Sequence, residues 1–345
     1  MTGTRALRDD PRVDPRLVAA VEPYGLADAL PPSRLDATAP LDVIRGALGK
    51  LEAGSAPMAA LAVAGLEPVV GVERTVEAVA RDDGSEITVH VHRPSGADGP
   101  LPGVLHLHGG GCVMLSAADD TYVRWRDELA SLGLVVVGVE FRNGAGRLGP
   151  HPFPAGLDDC TTALGWLHAE RARLGVDRIV LSGDSGGGNL ALATTLRAGR
   201  AGVLDRIDGV YVLCPYISGD YADPPADLGS LREHDGILVS VALMGAMAKA
   251  YTPDPADARD PLAWPLHATD EDLVGLPPHV ISVNELDPLR DEGLAHYRRL
   301  LAAGVAARCR TVNGTIHASE NNYLAVIPDV ARSTLADIAA FARSL

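Results

Sequence analysis

Ile179-Val180-Leu181-Ser182-Gly183-Asp184-Ser185-Gly186-Gly187 is the stretch on which the fold turns. Its apolar opening reads as a buried strand, and the residues that follow, 189–200, read as a helix. Between the two, Gly183-Asp184-Ser185-Gly186-Gly187 fits G-x-S-x-G in the strand–turn–helix setting of a nucleophile elbow. A serine on so sharp a turn needs glycine neighbours, because the flanking backbone passes too close for side chains. The helix behind it points its first N–H groups toward negative charge developing at the serine. Ser185 is therefore the candidate nucleophile.

Outward from this stretch the same alternation repeats. Short apolar runs at 104–108, 134–139, 210–213, 280–283 and 308–312 are separated by amphipathic segments near 120–132, 157–174, 187–200, 290–303 and 329–344. Strands alternating with helices imply a parallel sheet covered on both faces. Residues 72–80 and 86–92 alternate as strands around Asp82-Asp83-Gly84, a hairpin signal, and would form one antiparallel edge. The prediction is an α/β fold with a mostly parallel eight-stranded sheet. Residues 1–70 look helical, with breaks at Pro31-Pro32 and Gly54-Ser55. Residues 219–265 are rich in Asp and Pro, carry a helical piece at 239–251, and read as an insertion after a strand. Together these two segments are expected to form a helical cap over the strand ends of a catalytic domain spanning 71–345.

Composition narrows the function. Apolar residues make up 47% of the 345, enough for a sizeable core, and the formal net charge is −15. A nucleic-acid partner needs clustered positive charge, so none is expected. The cysteines at 112, 160, 214 and 309 are scattered without CxxC spacing. That pattern argues against a zinc site or a disulfide framework and for reduced thiols in the cytoplasm. The opening MTGTRALRDDPRVDPR has no apolar core of a signal peptide, and no run has the ~20 apolar residues of a membrane span. His90 with His92, and His106 with His108, are spaced to share a strand face, but no third metal ligand is evident. Gly109-x-Gly111 lacks the further glycine and acidic residue of a dinucleotide site. Cys112 is read as a wall residue rather than a nucleophile.

Three further pieces fit around Ser185. His108-Gly109-Gly110-Gly111 ends an apolar run and resembles the oxyanion loop of lipases and esterases. The N–H groups of Gly110, Gly111 and Gly186 would hold an oxyanion there. Asp287, in Asn284-Glu285-Leu286-Asp287-Pro288, follows a strand run, where sites in open α/β sheets gather. Its competing role is a helix N-cap, and Glu285 and Asp291 are rival carboxylates. His317 lies just past the final run, as expected of a catalytic base. Serine, acid and histidine occur in the chain order of α/β-hydrolases; trypsin-like enzymes, which also have G-x-S-x-G, are all-β and place His and Asp before Ser.

From about residue 72 onward the chain resembles the bacterial hormone-sensitive-lipase family of α/β-hydrolases, the HGGG or acetyl-esterase/lipase group. The resemblance rests on HGGG, His151-Pro152-Phe153-Pro154-Ala155, Gly183-Asp184-Ser185-Gly186-Gly187-Gly188-Asn189, Asp287-Pro288-Leu289-Arg290-Asp291 and His317. It implies carboxylesterase activity without cofactor, with a small-molecule ester as substrate, an N-terminal helical cap and frequent dimerisation, a homodimer being the form expected where it assembles. Three departures stand out. Gly186 replaces the usual alanine, residues 141–150 replace a YRLAPE-like stretch, and Ala318-Ser319 replaces Gly-Phe. Amidase, lactonase and carbamate hydrolase chemistry are alternatives on the same triad, and a catalytically silent binding protein is the alternative outside enzymes. A histidine base predicts that kcat/KM falls as pH drops through roughly 6 to 7. A capped cleft predicts short- to medium-chain, water-soluble esters.

Overall fold

The structure, a computed structural model, describes residues 6–28, 30, 33–97 and 99–345. The break expected at Pro31-Pro32 lies outside the described residues. The strands are β1 (Val72–Ala80), β2 (Glu86–Pro94), β3 (Leu101–Leu107), β4 (Val135–Glu140), β5 (Val176–Asp184), β6 (Gly209–Leu213), β7 (His279–Asn284) and β8 (Ala307–Val312). They form one eight-stranded sheet in the order β1-β2-β4-β3-β5-β6-β7-β8. β1 and β2 pair antiparallel and β2 joins β4 antiparallel, while β4, β3, β5, β6, β7 and β8 run parallel. The hairpin thus forms an edge, as its turn chemistry predicts.

Helices α1 (Pro15–Val21), α2 (Leu41–Gly54) and α3 (Ala56–Leu61) precede the sheet. α4 (Asp120–Ser131), α5 (Ala155–Leu174) and α6 (Gly186–Arg200) alternate with the central strands. α7 (Ser230–Glu233), α8 (Val241–Tyr251) and α9 (Asp270–Leu273) lie between β6 and β7. α10 (Arg290–Ala302) joins β7 to β8, and α11 (Ser319–Asn322) and α12 (Pro328–Ser344) follow.

The central strands carry near-continuous apolar runs because both faces are covered. Val104, Val136 and Val180 point to a layer with Trp125 and Leu129 of α4 and Leu335 and Ile338 of α12. Their neighbours Leu105, Val137 and Leu181 point the other way, toward Leu157 and Leu164 of α5 and Leu190 of α6. Successive residues of a strand alternate faces, so the two layers follow directly from the runs. β1 departs from this: it is an edge strand, largely exposed, and carries Glu73 and Glu77, charges that suit an unpaired edge.

The N-terminal segment and the segment after β6 meet. α2 packs on α8, and Lys249 Nζ donates to the carbonyls of Ala37 (2.9 Å) and Ala39 (2.8 Å). Leu7, Leu17, Val21 and Ala27 form a separate apolar cluster with Ile237, Leu286, Ile316, Tyr323 and Ile327.

Candidate active site

Ser185 occupies the turn between β5 and α6 with φ +53°, ψ −116°, a conformation that costs a non-glycine residue and that persists only where the surroundings enforce it. Here its N–H donates to Leu213 O (2.9 Å) and its carbonyl accepts Tyr216 N–H (3.1 Å), tying the elbow to the end of β6. A Cβ at Gly187 would collide with the carbonyl of Leu107 and stand 2.5 Å from that of His108. The glycine is therefore required by the approach of β3, the reason anticipated for it.

His317 faces the serine from the loop after β8. Its Nε2 lies 3.0 Å from Ser185 Oγ, and its Nδ1 lies 2.8 Å from Asp287 Oδ2. Asp287 is fully buried at the end of β7, and its other oxygen, Oδ1, accepts the N–H of Leu289 at 2.9 Å. The competing N-cap role is not filled by Asp287, because Leu289 is the N-cap of the next helix and has no side-chain cap, so Oδ1 only closes a local turn. α10 starts at Arg290, two residues beyond Pro288. The rival carboxylates point elsewhere. Asp291 accepts from Ser230 N–H and pairs with Arg290, while Glu285 accepts Gly314 N–H.

A carboxylate on Nδ1 keeps the proton there and leaves Nε2 free to accept the serine proton. Burial works against protonation of His317, but the Asp287 carboxylate outweighs it and holds the imidazole well above the usual histidine value of 6.5. The base works only when neutral, so a raised value moves the acid limb upward. We expect kcat/KM to fall, as pH drops, through a midpoint above 6.5. A pH–rate profile whose midpoint lies at or below 6.5 would contradict this coupling.

The turn after β3 brings free backbone N–H groups beside Ser185. Among the described residues, the N–H groups of Gly110 and Gly111 have no hydrogen-bond partner. Gly186 is the first residue of α6, so its N–H is one that the helix cannot use internally. A Cβ at Gly186 would stand 2.7 Å from Gly111 N and 2.5 Å from Cys112 N. The departure from alanine thus has a steric correlate: the turn lies against the elbow at a distance that excludes a methyl group. Cys112 is buried beneath it, with Sγ donating to Gly186 O at 3.3 Å, and burial pushes its thiol pKa up.

Four further side chains position these groups, and the sequence assigned none of them that role. Tyr122 Oη accepts Gly109 N–H (2.9 Å) and donates to Asp184 Oδ2 (3.3 Å), joining the turn to the elbow. Burial raises the Asp184 carboxyl to about 6. Asn284 Oδ1 accepts Ala318 N–H (3.2 Å), and its Nδ2 donates to Thr315 Oγ1 (2.7 Å) and Glu320 Oε2 (2.8 Å), which fixes the histidine loop. Ser319, one of the departures, closes the same loop by accepting Ile316 N–H at 3.0 Å.

The paired histidines are engaged separately. His92 meets Asp127 at 2.8 Å, while His108, just past β3, stacks on Phe141 with ring centroids 4.0 Å apart. One set of metal-capable side chains, Cys214, Asp287 and His317, gathers ligand atoms within 4.8 Å of one another. Asp287 and His317 already bond to each other, and burial holds the Cys214 thiol protonated, up to about 11.

Comparison with known proteins places the fold. A family model for the α/β-hydrolase fold matches residues 104–321. The carboxylesterase NlhH of Mycobacterium tuberculosis is 33% identical over 279 residues, covering 79% of this chain and 82% of that protein. An arylesterase of Saccharolobus solfataricus is 34% identical over 219 residues, 62% of this chain and 67% of the other. Among solved structures, a brefeldin A esterase described as a bacterial homologue of human hormone-sensitive lipase superposes with TM-score 0.93 at 42% identity, covering 98% of this chain and 95% of that one. Esterase Est22 superposes with TM-score 0.86 at 38% identity, covering 98% and 99%. The chain belongs to the α/β-hydrolase family. Within that family it falls with the bacterial homologues of hormone-sensitive lipase, the branch its motifs resemble.

Proposed function

We propose that this enzyme, a serine hydrolase of carboxylic esters, works through Ser185, His317 and Asp287 by two-step acyl transfer. The observation that carries the residue assignment is the continuous chain from Ser185 Oγ through His317 to Asp287, at 3.0 and 2.8 Å. His317 Nε2 takes the proton as Ser185 Oγ attacks the ester carbonyl, and Asp287 stabilises the imidazolium. The N–H groups of Gly110, Gly111 and Gly186 hold the oxyanion. The protonated His317 then gives its proton to the leaving alcohol. Water, activated by the same base, cleaves the acyl-enzyme and restores Ser185.

The substrates are short- to medium-chain, water-soluble esters. An apolar cleft of about 230 Å³ lies beside the oxyanion turn, lined by Leu26, Met58, Leu115, Tyr122, Leu238 and Tyr323 among others. This cleft shares Ser55, Ala59, Leu115 and Asp119 with a larger one of about 580 Å³, and neither Ser185 nor His317 lines it. Its walls come partly from the N-terminal segment and the segment after β6, which supports reading 1–70 and 219–265 as a cap on the 71–345 domain. A buried methylene contributes about 0.8 kcal/mol only while there is cavity to receive it. Across p-nitrophenyl esters from acetate to palmitate, kcat/KM is expected to peak between two and eight acyl carbons, roughly the span such a cleft fills. A peak at twelve or longer, or a rate jump at the micelle threshold, would reject the capped reading. Amides, lactones and carbamates in the same panel separate the alternative chemistries.

No helix of the described residues is long and apolar enough to cross a membrane. We place the enzyme in the cytoplasm, in keeping with its four free cysteines, of which Cys112, Cys160 and Cys214 are buried. The family resemblance suggests a homodimer, which sedimentation equilibrium tests directly.

A further inference from the structure

Glu52 stands on α2, far in sequence from every residue of the reaction, and only 7% of its side chain is exposed. Both carboxylate oxygens accept backbone N–H groups. Oε1 takes that of Leu115 at 2.8 Å, and Oε2 takes that of Arg147 at 2.7 Å. Leu115 is the exit of the turn that holds Gly110 and Gly111, and its φ is +73°, unfavourable for a bulky residue. Its carbonyl accepts Asn143 Nδ2 at 2.8 Å. Side chains from two other parts of the chain therefore tie Leu115 on both sides.

Arg147 belongs to the glycine-rich stretch that departs from the family pattern. This stretch pairs with the same turn, through Gly144 N–H to Cys112 O (2.9 Å) and Ala145 N–H to Val113 O (3.1 Å). A Cβ at Gly146 would stand 2.5 Å from Glu52 Oε2, so the stretch closes directly on the carboxylate. One carboxylate thus gathers two loops, and one of them carries the oxyanion donors. A carboxylate suits the place: it accepts at both ends and bonds N–H groups more strongly than a neutral acceptor does, whereas an amide presents a donor at one end. The support is firm, since Ile44 and Leu48 of α2 are fully buried in the main core.

We propose that Glu52 is a positioning residue for the reaction. It pins the exit of the oxyanion turn so that the N–H groups of Gly110 and Gly111 stay aimed at the developing charge. By this contact the N-terminal segment is part of the catalytic apparatus and not only a cover over it. The proposal rests on reading Gly110 and Gly111 as oxyanion donors in an esterase. The oxyanion exists in the transition state and not in the bound ester, so a loosened turn lowers kcat while leaving KM nearly unchanged.

The test compares Glu52→Ala and Glu52→Gln with the unaltered enzyme on p-nitrophenyl acetate. Rates are expressed per active site, counted by complete fluorophosphonate labelling. For Glu52→Ala, kcat per labelled site is expected to fall on the order of 10- to 100-fold. KM should stay within about two-fold. The rate constant for labelling should fall alongside kcat, because the phosphonyl oxygen occupies the same hole. Glu52→Gln, which keeps one acceptor, should fall between the two. If kcat per labelled site is unchanged in both variants and only Tm drops, Glu52 is a structural tie and the proposal is wrong. Should Glu52→Ala fail to fold, Glu52→Gln decides by the same criteria. Failure of the esterase reading looks different: the unaltered enzyme would not label at Ser185.

Discussion

Ser185→Ala is expected to fold normally and to lose ester hydrolysis by on the order of 10⁴-fold or more in kcat. The size follows from the chemistry: without Oγ there is no acyl-enzyme, and only the oxyanion donors and substrate binding remain. Folding should survive because the elbow is held by backbone bonds, Ser185 N–H to Leu213 O and Tyr216 N–H to Ser185 O. Mass spectrometry after fluorophosphonate treatment should find the adduct on Ser185. The other serines near the site are occupied: Ser182 is fully buried within β5, Ser116 Oγ donates to Glu140, and Ser319 Oγ donates to Ile316 O. An adduct on any of these would overturn the assignment.

His317→Ala should be nearly as damaging as loss of the serine, because members of such a chain act as a unit. Asp287→Asn is expected to cost on the order of 10³- to 10⁴-fold. The side-chain amide can place its N–H against Nδ1 at the 2.8 Å contact, which drives the imidazole proton onto Nε2. Nε2 would then face Ser185 as a donor and could not take its proton. Asp291→Asn, by contrast, should be mild, since Asp291 bonds Ser230 and Arg290 and not His317. Steady-state kinetics on the three variants decide the matter. A crippled Asp291→Asn beside a near-normal Asp287→Asn would mean that the wrong carboxylate has been chosen.

What could be read ahead of the structure was whatever the chain writes locally. The run before Gly183 becomes β5 because consecutive apolar residues suit a strand covered on both faces, and the elbow follows within the same few residues. Asp287 and His317 were reachable because each lies directly after a strand run, and the topology brings those ends together. Contacts across sequence were not legible. Glu52 looks like any polar residue on a helix, and its partners lie 63 and 95 positions away. Tyr122 and Asn284 are silent for the same reason. The glycine at 186 was visible as a departure, but its cause, Gly111 N and Cys112 N lying against it, exists only in three dimensions. The direction in which the histidine value moves was not legible either, because it depends on burial and on the contact with Asp287, neither of which a motif encodes.

The cluster that unites Leu7, Leu17, Val21 and Ala27 with Ile237, Leu286, Ile316, Tyr323 and Ile327 bears on how the molecule is made. A ribosome releases the first four of these residues long before the last three, so their apolar faces emerge with nothing to cover them. Contacts of such wide sequence separation pay loop-closure entropy before they return any stability, and they form late. Until β7, β8 and the loop carrying His317 have been synthesised, this surface is an exposed sticky face of the nascent chain, of the kind that promotes aggregation. The same closure brings Ile316 under cover immediately beside His317. Burial of the early segment and arrival of His317 beside Ser185 therefore wait on the same late-synthesised residues, and a chain interrupted before them would lack His317 and leave that apolar face uncovered.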